Sequence, residues 1–148
     1  MLDVLGADRI AAIRAWYRLD EAFSAFNRHL RQRYGVTGIQ LAMLRILAEQ
    51  PRTIAELRAR LAMHPATIGQ LLDRLERAGL VTLGPDPADR RRRQVEVTAD
   101  GQKLLSSAPL AGPVRLRSVP VEPARARRLT SAFDDAIDLF GLREYVAP

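Results

Sequence analysis

The 148 residues contain no cysteine, which removes disulfides, thiolate metal ligands and thiol nucleophiles together. Lysine is nearly missing as well: of the 23 basic residues all but Lys103 are arginine. The only histidines, His29 and His64, are far apart in sequence and, without cysteine beside them, give no basis for a metal site. Both read as structural or solvated side chains. No apolar run approaches the roughly 18 residues of a membrane span, and Asp3, Asp8 and Arg9 interrupt the start of the chain where an apolar signal core would lie. These absences point to a cytoplasmic protein without a membrane partner. Enzyme motifs are lacking too: there is no Walker loop, no G-x-S-x-G and no dinucleotide glycine motif, and the acidic residues are scattered over helix surfaces and caps. No catalytic residue, cofactor or metal is assigned.

What is present fits one globular unit. The length is that of an ordinary domain, and 47% hydrophobic with 27% charged residues lies in the folding range. The net charge of +6 invites a nucleic-acid partner. It is not gathered in a tail, however. Residues 1–50 carry seven basic and five acidic groups, 51–100 nine and seven, and 101–148 seven and five. Local placement must therefore decide.

From Ala7 to about Arg33 apolar residues recur three or four apart, which predicts a long amphipathic helix ended by Tyr34-Gly35. A second helix, Gly38 to Glu49, is apolar on most sides and should be central. Thr53 and Glu56 form a capping box for a third helix that stops near Ala62. His64-Pro65 opens a fourth, with a buried stripe of Ile68, Leu71, Leu72 and Leu75 and with Gly79 at its end. The period then changes to two. Leu80 to Leu83 and Gln94 to Val97 read as strands around a turn at Gly84 to Asp89. Thr98 caps a short helix that Pro109, Gly112 and Pro113 cut off, and a last helix runs from about Glu122 to Leu142. The segment Ala108 to Pro123 is read either as a mobile loop or as an extended connector over a partner subunit.

Two short helices joined by a tight turn and followed by a β-hairpin make a winged helix-turn-helix. In that arrangement the second helix lies in the DNA major groove and the hairpin, the wing, reaches the neighbouring backbone or minor groove. Arginines at a wing tip meet phosphates or the narrow, electronegative minor groove of AT-rich DNA. The tip here holds Arg90, Arg91, Arg92 and Arg93 in succession. If Val95 and Val97 face the core, strand parity turns Arg93 inward and leaves Arg92 and Gln94 outward, so Arg91 ranks first, then Arg90 and Arg92, with Arg93 last. On the recognition helix the positions outside the buried stripe include Ala66, Thr67, Gly69, Gln70, Asp73 and Arg74, directly after Pro65. Gln70 can pair with adenine, Thr67 can touch a thymine methyl or a phosphate, and Arg74 can reach a phosphate or guanine. The competing reading is a winged helix that contacts protein or senses a ligand without reading DNA. Its wing would carry an apolar or acidic tip.

The run from about residue 37 to 105 resembles the core of the multiple-antibiotic-resistance regulator (MarR) family. The resemblance rests on D-R-L-E-x-x-G-L at Asp73 to Leu80, followed by D-P-x-D-x-R and V-x-V-T-x-x-G between Asp86 and Gly101. It implies a mainly α fold with a small β-hairpin, a winged helix-turn-helix with N- and C-terminal dimerisation helices. Residues 1–36 would be the N-terminal dimerisation helix, 37–99 the DNA-binding lobe and 100–148 the C-terminal dimerisation helices. The implied function is a homodimeric transcriptional regulator of double-stranded DNA, most often a repressor, on a pseudo-palindromic operator, often with a small aromatic effector. By the same resemblance Asp89 braces Arg91, the arginine that enters the minor groove. Trp16 is a candidate for lining an effector pocket, although aromatics at helical spacing are more often core or dimer contacts. Gly69 stands where the family usually has a polar side chain and Ala66 where it often has serine, which implies fewer base contacts and more shape readout. The break at Pro109 to Pro113 also departs from the family's long continuous helix. Independently, the terminal helices carry Trp16, Phe23, Phe26, Phe133 and Phe140, more apolar surface than a small winged lobe can cover. A two-fold dimer would bury it and set the lobes about 34 Å apart, one turn of DNA.

Overall fold

Caps and breakers set the ends of the elements in the computed structural model, which describes residues 6–148; of the charges expected to interrupt the N-terminus, Asp3 lies outside the described residues and Asp8 and Arg9 are exposed at the start of the first helix. Helix α1 (Ala7–Tyr34) closes where Gly35 takes φ 70° and returns its N–H to the Arg31 carbonyl. Helix α2 (Gly38–Glu49) opens on a capping box between Thr37 and Gln40. Strand β1 (Arg52–Thr53) leads straight into α3 (Ile54–Arg60), which is capped by reciprocal bonds between Thr53 and Glu56. Pro65 takes the first position of α4 (Pro65–Arg77), where a missing N–H costs nothing. Strands β2 (Val81–Pro85) and β3 (Arg93–Val97) form the hairpin, and α5 (Ala99–Ser107) follows. A 3-10 turn at Pro113–Arg117, helix α6 (Pro123–Leu139) and a last turn at Arg143–Tyr145 complete the order. The fold is mainly α with a small antiparallel sheet.

The sheet has three strands in the order β1-β3-β2, with Arg52 opposite Val95, Val81 opposite Val97 and Pro85 opposite Arg93. The sequence leads one to expect only the hairpin. Arg52-Thr53 is too short to show an alternating pattern, so nothing announces the third strand. Parity also fails at the tip: Arg93 is exposed, although Val95 two residues on is fully buried. Opposite Pro85, at the end of the ladder, no core residue covers the inner face, and an inward side chain meets solvent. Gln94, expected outward, is half-buried between Thr53 and Gly84 on the flanking strands.

Leu41, Met43, Leu44, Ile46 and Leu47 are all buried on α2. Leu57, Ile68, Leu72 and Leu75 from α3 and α4, and Val81 and Val95 from the sheet, join Met43, Leu44, Ile46 and Leu47 in one cluster. Each fully buried leucine contributes about 1.5–3 kcal/mol. This cluster, more than any local cap, holds the lobe together.

The two motif strings are docking points within it. Helix α4 ends in a Schellman motif: the Leu80 N–H donates to the Leu75 carbonyl at 3.0 Å and the Gly79 N–H to the Glu76 carbonyl at 2.9 Å, with both leucines buried. Thr98 ties the start of α5 to that corner. Its hydroxyl donates to the Gly79 carbonyl at 2.6 Å and accepts from the Gly101 N–H at 3.1 Å, while its own N–H donates to the Leu80 carbonyl. Gly101 is pressed so close to the Leu80 carbonyl and the Val97 side chain that a Cβ at this position would overlap both. Gly101→Ala is therefore expected to cost about 1–3 kcal/mol, as overpacking of a filled site does, seen as a lower melting temperature with the helical circular-dichroism signal retained. An unchanged melting temperature would show that the contact is slack.

Candidate nucleic-acid interface

Burial of Ile68, Leu71, Leu72 and Leu75 leaves the rest of α4 to solvent. Pro65, Ala66, Thr67, Gly69, Gln70, Asp73 and Arg74 are all exposed. The first turn is fixed by the N–H groups of Thr67 and Ile68, which donate to the His64 carbonyl at 2.9 and 3.3 Å. His64 itself is exposed at the cap position and its side chain makes no capping bond. Two further cations, Arg58 and Arg60, are exposed in the last turn of α3. They are not among the residues expected from the sequence, although the first helix of such a pair ordinarily crosses the DNA backbone. Two arginines flanking the Leu57 stripe were the available signal.

The hairpin tip is built from carboxylates. Asp86 donates its N–H to the Arg92 carbonyl at 2.9 Å and accepts from the Ala88 N–H at 3.0 Å, and the Asp89 N–H donates to the Asp86 carbonyl. Asp89 Oδ1 accepts from the Arg91 N–H at 3.1 Å and from Arg91 Nε at 3.3 Å, and Oδ2 stands 3.7 Å from Arg92 Nε. The Arg91 side chain is nonetheless 92% exposed. An exposed pair of this kind contributes about 0–1 kcal/mol, so Asp89 acts on geometry more than on stability. It narrows where two guanidiniums can point while covering neither. Arg90 and Arg93 are exposed and form no ion pair among the described residues. The structure thus brings Asp89, Arg91 and Arg92 together at the tip and places the recognition-helix residues on the open side of α4.

Behind the hairpin lies an ionic network that the sequence did not announce. Glu49 at the end of α2 accepts from Arg117 Nε at 2.8 Å and from Arg117 Nη2 at 2.5 Å, and also from Arg52 Nη2 at 3.0 Å. Arg117's hydrogen bonds hold the Glu49 carboxyl below the usual glutamate range, against the opposing effect of burial, and the same bonds raise the Arg117 guanidinium. The Arg45 guanidinium, one helical turn before Glu49, is lowered by burial. Residues of α2, α5 and the segment before α6, among them Arg45, Gln102, Leu105, Val114 and Arg117, line a cleft of about 330 Å³. Trp16 does not line it; its ring packs edge to face on Phe140 at 5.7 Å. Among the described residues no group of three or more potential metal ligands converges, and no helix is long and apolar enough to cross a membrane.

Helix pair, hairpin and flanking arms together are those of a winged helix-turn-helix regulator. The family model described as MarR family matches residues 34–92. The transcriptional regulator HosA of Escherichia coli O111:H- is 35% identical over 98 residues, covering 64% of this chain and 72% of its own. The HTH-type transcriptional repressor NicR of Pseudomonas putida is 41% identical over 73 residues, 49% of this chain and 46% of its own. Among solved structures, Sco3205, a MarR family transcriptional regulator from Streptomyces coelicolor in complex with DNA, has the same fold with a TM-score of 0.67 at 20% identity, over 90% of this chain and 88% of that one. This chain belongs to the MarR family of DNA-binding transcriptional regulators. Arg91→Ala is expected to weaken binding to its preferred duplex by about 1–3 kcal/mol without moving the melting temperature; a loss of folding instead would make Arg91 a structural residue. Gln70→Ala should relax preference at one base pair per half-site, and an unchanged footprint would remove that contact.

Proposed function

We propose that the protein acts as a homodimeric repressor on a pseudo-palindromic operator. In this reading α4 enters the major groove with Pro65, Ala66, Thr67, Gln70 and Arg74 at the bases and phosphates. The wing places Arg91, braced by Asp89 and flanked by Arg90 and Arg92, in or beside the minor groove. Residues 1–36 and 100–148 form the dimer and 37–99 the reading lobe.

The observation that carries the dimer is the state of the terminal helices. Not one residue of α6 is buried. Phe133, Leu139 and Phe140 lie open on or just beyond it, and Ile13, Trp16, Tyr17, Leu19 and Phe23 lie open on α1. Apolar surface of this extent marks an interaction site, and a second copy related by a two-fold axis covers both arms at once. The repressor sense is supported by the relation to NicR, a transcriptional repressor. Release by a small aromatic effector belongs to the same reading: the cleft between α2, α5 and the segment before α6 has, at about 330 Å³, the volume of a small-ligand site.

Sequencing the duplexes retained from a random pool by the purified protein tests the operator, with two inverted half-sites about one helical turn apart expected. A single unpaired half-site would overturn the reading. Phe133→Asp should convert the dimer to a folded monomer in sedimentation and abolish tight binding; a dimeric, fully binding variant would place the interface elsewhere.

A further inference from the structure

The lobe is joined to the terminal helices by two chain crossings. Between α1 and α2 only Gly35, Val36 and Thr37 intervene, whereas residues 108–122 separate α5 from α6. A crossing of that length containing Pro109, Gly112 and Pro113 would let α6 swing against the lobe unless something pinned it. It is pinned over its first ten residues, 108–117. At its start the Arg45 Nη2 donates to the Ala108 and Pro109 carbonyls at 3.2 and 3.1 Å, and the Tyr34 hydroxyl donates to the Ser107 carbonyl at 2.9 Å. In the middle Val114 is buried. Past the middle, with residues 118–122 still to come before α6, Arg117 makes its two-pronged contact with Glu49.

Arg45 and Glu49 stand four residues apart on α2, so one helix of the lobe grips the crossing at its start and again past its middle. Glu49 has a second hold as well. Its other cation, Arg52, is almost fully buried on β1, opposite Val95 of the wing strand β3. One carboxylate therefore ties the segment leading to α6 to the root of the wing. Planar two-pronged pairing is what gives a guanidinium–carboxylate contact a fixed angle, which a single ammonium contact does not have.

We propose that Glu49 and Arg117 are positioning residues for DNA recognition, whose ion pair fixes the angle between the winged lobe and α6 and thereby the separation at which two lobes meet a duplex. This rests on the dimeric reading above. Each base pair added between half-sites moves them about 3.4 Å apart and turns them by about 35°. Lobes locked to their arms cannot follow such a change, whereas lobes on a loose crossing can.

The experiment measures affinity, by fluorescence anisotropy, for the selected operator and for duplexes with one or two base pairs inserted or removed at its centre. Wild type is expected to lose about tenfold per base pair, the scale of one mismatch. Arg117→Gln leaves the Glu49–Arg52 pair intact, and it should flatten that profile to within about threefold while binding its best duplex more weakly. Glu49→Gln should flatten it too, with a lower melting temperature because Arg52 loses its carboxylate. Arg117→Lys should fall between Arg117→Gln and wild type. Gly101→Ala, destabilised without touching the pair, should keep the sharp profile. A folded, dimeric Arg117→Gln protein with a wild-type profile overturns the proposal alone, as does a Gly101→Ala profile equally flat. A monomeric wild-type protein overturns the dimeric reading and this proposal with it.

Discussion

Burial of α2 on most of its circumference is the constraint around which the other elements are arranged. Met43, Leu44, Ile46 and Leu47 face the interior, so α3, α4 and the sheet must each present apolar side chains to that helix or leave it wet. The helix has only two charged residues, Arg45 and Glu49, and both are turned to the crossing between α5 and α6. Its hydrophobic sides build the lobe and its ionic side orients the arms. Breaking the ionic side is costly in an asymmetric way. Arg52 is buried beside Glu49, and its Nε has no partner, so removing the one carboxylate leaves a desolvated cation behind.

Much of the lobe is legible in the sequence because its signals are local. The capping box at Thr53 and Glu56, Pro65 at the start of α4, the stripe from Ile68 to Leu75 and the glycine at 79 each act within one or two helical turns. The open face of α4 follows from the same stripe by subtraction, and the Asp89–Arg91 pairing spans two residues. What could not be read depends on partners far along the chain. Strand β1 exists only because β3, some forty residues later, supplies its hydrogen bonds. Arg117 reaches Glu49 across 68 residues, and no periodicity connects them. Parity placed Arg93 inward because alternation says which face a side chain takes, not whether any core lies under that face. The crossing after α5, left open between loop and connector, contains a 3-10 turn and is fastened to the lobe through residue 117, by partners on α1 and α2 that lie far away in the chain.

The molecule divides its surface between two kinds of attraction. At the hairpin tip and along α4 the exposed groups are mainly guanidiniums, an amide and small side chains, with the carboxylates of Asp73 and Glu76 among them, and the cations suit a charged, hydrated polymer whose bound counterions are released on contact. Along α1 and α6 aromatic and aliphatic side chains are exposed beside charged ones, and the apolar groups are suited to a surface that excludes water. Salt acts unequally on these two, weakening the first and leaving the second largely untouched.

The near-total preference for arginine sets a further boundary on how such a surface can be adjusted. A guanidinium keeps its charge at any pH a cell experiences, and it offers no primary amine for acetylation. Lys103, exposed on α5, is the one side chain of this chain open to that chemistry. Covalent neutralisation of lysine therefore leaves the charge of the hairpin and of α4 intact.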